Sequence, residues 1–228
     1  MNNNFTSIKK RIEQILEPFL HQLQQAQSFL ENNPEFLDNL KRYIENWPKF
    51  YKDDWLKMAG YGWFINWETP ITVTKALSVS QDTLDQFMTR HLTDAWPNIT
   101  ERIIELYPER AHILLESFKL HQDENYIACI PLFMSQIDGI CAQNLSVFLF
   151  SEHERRLEKT QELINDSRGD LLNVFLEIIS TKTQFGASIS SYSNNKKKIA
   201  PNRNGVLHGS RKHLDYGTRI NSLKTFPF

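Results

Sequence analysis

The residue types best suited to chemistry gather near the end of this 228-residue chain. Between residues 202 and 218, basic side chains are interleaved with glycines, and Asp215 is the only acid. Here Arg203 is followed by Asn204 and, five residues after the arginine, by His208. Histidine ordinarily titrates near neutral pH and can move a proton, while arginine stays charged and can hold a phosphate through two parallel hydrogen bonds. An arginine and histidine pair therefore suits RNA cleavage.

The predicted reaction needs no metal ion. If a neighbouring ribose 2′-hydroxyl attacks the phosphorus, His208 can take its proton or protonate the leaving oxygen. Arg203 can then stabilise the charge that develops on the phosphate, and Asn204 can hydrogen-bond the phosphate or orient the imidazole. The products carry a 2′,3′-cyclic phosphate. Zinc, serine-hydrolase and nucleotide-cofactor motifs are missing from the sequence, so we predict no cofactor.

The charge of the chain is unevenly distributed. The formal net charge is −1, yet residues 186–228 hold eight lysine and arginine residues against the single acid Asp215. A basic end favours a polyanion such as RNA or an acidic partner, although charge alone fits a solvated basic tail equally well. The predicted substrate-binding residues are Lys197, Lys198, Arg211, Lys212 and Tyr216.

Helical periodicity dominates the elements that must position these residues, and the sequence contains no alternating pattern long enough for a sheet. We therefore predict an all-α helical bundle. Helices are predicted from Thr6 or Ser7, from Pro34, near Pro48, from Ser80, after Pro97, over 111–121, 124–148 and 151–165, and after Ser167 or Asp170. Residues 60–73 are predicted to be irregular, and four tryptophans in or near this segment form either a small aromatic core or a stacking surface.

One predicted helix and one short segment matter most for the site. Residues 124–148, with Asp123 as the predicted cap, are apolar nearly all round, so this helix is expected to be central. Within it Asp138 needs a partner, and it is either a satisfied buried group or a residue that orients Arg203 or His208. Residues 203–207 are predicted to form a short helix that Gly209 stops.

Helical spacing does not place the arginine and the histidine on one face. Arg203 and His208 lie about 140° apart around a regular helix, whereas Asn204 and His208 share a face. The pair is therefore completed either by a bent helix start or by a second chain. The second solution predicts a homodimer in which the two sites meet at a two-fold axis.

The order of Arg203, Asn204 and His208, placed late in an all-helical chain, resembles the signature of the HEPN superfamily. The string N-R-N-G-V-L-H-G, followed by L-D-Y-G-T-R-I-N-S-L-K, is similar to bacterial HEPN-type proteins of abortive-infection and toxin systems. The segment I-P-L-F-M-S-Q-I-D-G-I resembles an earlier helix of such proteins. The resemblance implies a HEPN-like domain over 109–228, preceded by a helical, tryptophan-rich region over 1–108 of unknown role.

The same resemblance implies a dimeric, metal-independent endoribonuclease with Arg203 and His208 as the catalytic pair, acting in phage defence or as a toxin restrained by an antitoxin protein. The alternative is a non-catalytic HEPN-like module that binds RNA, a nucleotide or a protein. A third hypothesis makes Tyr216 the target of a modifying antitoxin. The sequence shows neither a signal peptide nor a membrane-length apolar run, and Cys129 and Cys141 are expected to be reduced, so a cytoplasmic location is predicted.

Overall fold

The computed structural model describes residues 46, 49–146, 148–149, 153–166, 170–181, 183–189 and 199–226. These residues form helices joined by turns, and none of them lies in a β-strand, which confirms the all-α prediction. The α-helices are α1 (49–60), α2 (Val73–Val79), α3 (Gln81–Asp94), α4 (Trp96–Leu106), α5 (Ala111–Gln122), α6 (Tyr126–Leu145), α7 (His153–Asp166), α8 (Asp170–Ser180), α9 (Arg203–Leu207) and α10 (Arg219–Lys224). The helices predicted from Thr6 or Ser7 and from Pro34 lie outside the described residues.

The starts of the helices follow local rules at several predicted places. Ser80 caps α3, because its side chain accepts the Thr83 N–H at 3.0 Å. The predicted cap of α6 at Asp123 is wrong: the helix begins at Tyr126. Glu124 adopts a left-handed backbone conformation, with φ of 58°, and so separates α5 from α6.

Helix α6 lies at the centre of the molecule, as its apolar surface predicted. Its first part belongs to a large buried cluster that runs from Trp55 to Phe226, and its last part belongs to a second cluster shared with α7 and α8. The first cluster contains residues on both sides of position 108, while the proposed boundary there stays a prediction. Trp55 and Trp63 are buried in this cluster, as an aromatic core requires.

A buried lysine ties α10 to the first half of the chain. The Lys224 ammonium lies 3.1 Å from the Asp85 carboxylate of α3 and donates to the Ile199 carbonyl at 2.7 Å. It also lies 5.0 Å from the centre of the Trp63 ring, whose N–H donates to Asp85 at 2.6 Å. Because a buried charge is tolerated only when it is paired, these contacts fix the position of α10.

Helix α7 is rich in charged residues, yet it buries one face. Arg156, Thr160 and Leu163 are buried, and their spacing places them on the same side of the helix. Cys129 and Cys141 form no disulfide with each other, and both are buried. Within the part of the chain that the structure describes, no helix is both long and apolar enough to cross a membrane.

Candidate active site

The start of α9 is held by a completely buried asparagine. The side-chain oxygen of Asn202 accepts the Gly205 N–H at 2.6 Å and so caps the helix. Its amide nitrogen donates to the carbonyls of Gln184, at 2.9 Å, and Ala187, at 2.7 Å. One side chain, 0% exposed, therefore both begins the helix and attaches it to residues 183–189.

The same segment receives the next two residues of the motif. The Arg203 N–H donates to the Phe185 carbonyl at 2.9 Å, and the Asn204 amide donates to the Ala187 carbonyl at 3.4 Å. We call the backbone carbonyls of Gln184, Phe185 and Ala187 the carbonyl cradle. It sets the direction in which α9 leaves the core.

The far end of α9 is packed and terminated by two glycines. A Cβ atom at Gly205 would overlap the ring of His213, which is buried against this helix. The helix ends at Leu207 with His208 as its C-cap, and Gly209 continues in the left-handed conformation, with φ of 62°, where glycine is favoured. The stop predicted at Gly209 is confirmed, and it leaves the His208 side chain exposed.

Arg203 points into the molecule and forms an ion pair with the central helix. Its Nη2 lies 3.3 Å from Asp138 Oδ2, and its Nη1 donates to Asn204 Oδ1 at 3.2 Å. The side chain of Asp138 is 9% exposed and that of Arg203 is 29% exposed. The ion pair gives buried Asp138 the partner that it needs, and whether this carboxylate also orients Arg203 for catalysis stays a prediction.

Asp138 also interacts electrostatically with a second arginine, Arg156, which is buried. Burial lowers the pKa of the Arg156 guanidinium, and the charges of Cys141 and Asp138 oppose that change. Burial, with a smaller contribution from the Asp138 charge, raises the pKa of the Cys141 thiol to about 12, while the Arg156 charge opposes this shift. Arg156 donates to the carbonyls of Leu149, at 2.5 Å, and Thr181, at 3.5 Å. The Asp138 carboxylate is therefore close enough to two guanidinium groups, those of Arg203 and Arg156, to interact with both.

The predicted catalytic pair does not meet within one chain. Arg203 faces Asp138 on α6, whereas His208 lies exposed at the opposite end of α9. No hydrogen bond or ion pair among the described residues joins the two side chains. Within one chain the structure therefore brings Arg203 to Asp138 and not to His208.

The predicted substrate-binding residues have different surroundings. Arg211 and Lys212 are exposed in a short turn that follows His208. The Tyr216 hydroxyl already has a structural partner, because it donates to the Ile127 carbonyl at 3.0 Å. Burial raises the pKa of this phenol. Lys197 and Lys198 lie outside the described residues.

Three features around the site were not predicted from the sequence: the Asn202 cap, the buried face of α7 and the carbonyl cradle. Asn202 precedes a predicted helix and has a side chain typical of an N-cap, which is the signal that could have found it. Arg156, Thr160 and Leu163 have the spacing of a buried helical face, which the many charges of α7 hid. The carbonyl cradle has no signal in sequence, because every residue type carries a backbone carbonyl.

Comparisons with known proteins do not identify the site. Comparison with protein-family models, curated proteins and solved structures finds no match to the sequence or the fold. The resemblance to the HEPN superfamily therefore stays a prediction. In the described ranges, no group of three or more histidine, cysteine, aspartate or glutamate side chains is placed to hold a metal ion.

Proposed function

We propose that the protein is a metal-independent endoribonuclease in which Arg203, Asn204 and His208 act on an RNA phosphate. The observation that carries this proposal is the placement of the three residues on one short helix. Its start is fixed by Asn202 and Asp138, and its end presents His208 to solvent beside Arg211 and Lys212. This placement provides an anion-binding group and a proton-transfer group at the two ends of one short helix.

In the proposed reaction, the 2′-hydroxyl oxygen attacks the adjacent phosphorus and the bond to the 5′-oxygen breaks. His208 takes the proton from the 2′-hydroxyl or donates one to the leaving 5′-oxygen. Arg203 holds the phosphate oxygens as their negative charge grows, and the Asn204 amide adds a hydrogen bond. The products are a 2′,3′-cyclic phosphate and a free 5′-hydroxyl.

The proposed site uses two copies of the chain. Arg203 and His208 lie at opposite ends of α9 and have no contact with each other, so one phosphate is bound by the arginine of one copy and the histidine of the other. A two-fold axis beside α9 provides two such combinations at once. Leu207 and Leu214, which are 41% and 69% exposed, supply apolar surface near the motif for this contact.

We further propose a role as a toxin or phage-defence nuclease in the cytoplasm, restrained by an antitoxin protein. An unregulated nuclease of this kind damages the cell that makes it, so overexpression is expected to be toxic. Buried, free Cys129 and Cys141 are compatible with a reducing compartment.

A second candidate function is a non-catalytic module that binds RNA, a nucleotide or a protein through the same basic residues. One observation favours it: the Arg203 guanidinium already has partners in Asp138 and Asn204 and makes no contact with His208. In this case Arg203 and His208 are binding or dimer-contact residues.

Cleavage assays with single substitutions test the nuclease proposal. The purified full chain is incubated with fluorescently labelled RNA in excess EDTA, and the Arg203→Ala and His208→Ala variants are compared with it. Loss of a proton-transfer group is expected to lower the cleavage rate by about 10²- to 10⁴-fold. His112→Ala is the matched control, because His112 is exposed on α5, away from the motif.

Full cleavage activity in both motif variants rejects the proposed site. If the wild-type chain binds RNA in a salt-dependent way without forming products, the result favours the binding module instead. The His112→Ala control is expected to cleave RNA at the wild-type rate.

A further inference from the structure

A surface groove lies between α3 and α10, and none of the motif residues lines it. It has a volume of about 520 Å³ and is open to solvent. Its lining includes Arg90, Thr89 and Thr93 from α3 and Arg219 from α10. A volume of this size is within the range that accommodates a small ligand or one part of a larger one.

The two arginines are available to a ligand. Arg219 donates one hydrogen bond, from Nη2 to the Thr93 hydroxyl oxygen at 3.0 Å. Thr93 in turn donates to the Thr89 carbonyl at 2.7 Å, so this hydroxyl holds the arginine in place. Arg90 is exposed and, within the described residues, takes part in no hydrogen bond or ion pair.

The lining contains two carboxylates beside the two arginines, and one of them is already paired. Asp85 is paired with Lys224 at 3.1 Å and also accepts the Trp63 N–H at 2.6 Å. Asp94 is the other carboxylate in the lining. With Asp85 paired to the buried Lys224, the two arginines of the lining face one further carboxylate, Asp94, and the lining has no aromatic ring on which a nucleobase could stack.

We propose that this groove binds a phosphate group between Arg90 and Arg219, with the Thr89 hydroxyl as a further donor. Guanidinium groups form paired hydrogen bonds with phosphate oxygens, and two of them on different helices can grip one anion from two sides. The phosphate belongs either to an RNA strand or to a free nucleotide or pyrophosphate. The groove needs no catalysis at His208, so it stands independently of the nuclease proposal.

Binding of a nuclease-resistant oligonucleotide tests this site directly. The full chain is titrated into a fluorescein-labelled 2′-O-methyl RNA, and anisotropy is measured over a range of salt concentrations. Replacing both arginines, as Arg90→Gln with Arg219→Gln, is expected to weaken binding about tenfold or more. The slope of log affinity against log salt should become shallower by about 1.4, as expected when two phosphate contacts on a single strand are lost.

Two single substitutions provide controls of opposite kind. Asp94→Asn removes a carboxylate from the groove and should strengthen binding, because it removes repulsion from the phosphate. Lys119→Gln removes an exposed cation from α5 and should leave the affinity unchanged. If the double variant fails to fold, Arg90→Gln alone carries the test, since the Arg90 side chain is exposed.

Competition by pyrophosphate separates the two sources of the phosphate. If pyrophosphate displaces the oligonucleotide from the wild-type chain and the double variant binds neither, the groove accepts a free phosphate. If the double variant loses only the oligonucleotide, the groove binds the RNA strand. Unchanged affinity for both probes overturns the proposal, whatever the His208→Ala variant shows in cleavage assays.

Discussion

At the scale of single residues, Arg203 and His208 have opposite surroundings although they lie on one short helix. Arg203 is largely enclosed and paired with Asp138, whereas His208 is exposed. An arginine that must grip phosphate benefits from a fixed starting position, because less side-chain entropy is lost when the anion arrives. The carboxylate that holds it also competes with the phosphate, so Asp138 affects both the position and the affinity of Arg203.

A double-mutant cycle measures how strongly these two residues interact. Arg203→Gln and Asp138→Asn are each expected to lower the free energy of unfolding by about 1–2 kcal/mol, because each removes one charge of a mostly buried ion pair. The double variant should be less destabilised than the sum by about 1 kcal/mol. Urea unfolding of the four proteins provides the values. Strict additivity would mean that the 3.3 Å contact contributes nothing to stability.

At the scale of elements, α9 has only five residues and cannot be stable alone. It depends on the Asn202 cap, the carbonyl cradle and the close packing of Gly205 on His213. A change at any of these contacts should move Arg203 and His208 together.

Substitution of Gly205 tests the packing beneath α9. Gly205→Ala should lower the free energy of unfolding by about 2 kcal/mol, because the new Cβ overlaps the buried His213 ring and forces the helix outward. It should also lower the proposed cleavage rate. Gly60→Ala is the matched control: Gly60 ends α1 and has open space around it, so this variant should be neutral or slightly more stable. Equal effects of the two substitutions in thermal unfolding would contradict this account of the packing.

The sequence predicted the elements better than the contacts between them. Apolar spacing located α3, α5 and α6, since each of these helices buries a periodic face, and Gly209 marked the end of α9. The pairing of Arg203 with Asp138 was one of several open alternatives, because 65 residues separate them and spacing carries no information on such a contact. The burial of Arg156 was missed because its pattern lies among exposed charges.

At the scale of the whole molecule, a buried polar chain joins three helices in the large cluster. His121 Nδ1 of α5 lies 2.7 Å from the Ser222 hydroxyl of α10, which lies 3.0 Å from the Cys129 sulfur of α6. The Trp96 ring stacks on the His121 imidazole, with their centres 4.3 Å apart. Because α10 directly follows the motif segment, this chain connects the position of the site to the core.

The stability of the protein should fall on mild acidification. Burial lowers the pKa of His121 from 6.5 to about 4, and the charge of Arg219 contributes. The unfolded chain therefore binds a proton more readily than the folded one. This contribution to stability is complete above about pH 6.5 and is lost as the pH falls towards 4, on the order of 2–3 kcal/mol in total.

Urea unfolding of the wild-type chain and His121→Gln between pH 7 and pH 4 measures this effect. The variant keeps an amide that can hydrogen-bond Ser222 but cannot titrate, so its stability should depend less on pH than that of the wild type. His112→Gln, an exposed change on the same helix, should alter the free energy of unfolding at pH 7 by less than about 0.5 kcal/mol. Identical pH dependence in the wild type and His121→Gln would show that His121 is not the group responsible.

The central claim is that Arg203 and His208 direct an RNA 2′-hydroxyl at its neighbouring phosphate. The most direct measurement compares one oligonucleotide in two forms, all-ribose and fully 2′-O-methylated, incubated with the wild-type chain in EDTA. Cleavage of the ribose form alone, leaving a 2′,3′-cyclic phosphate identified by mass spectrometry and absent with His208→Ala, is the predicted result. Cleavage of the methylated form at a similar rate, or products that lack the cyclic phosphate, would contradict the account.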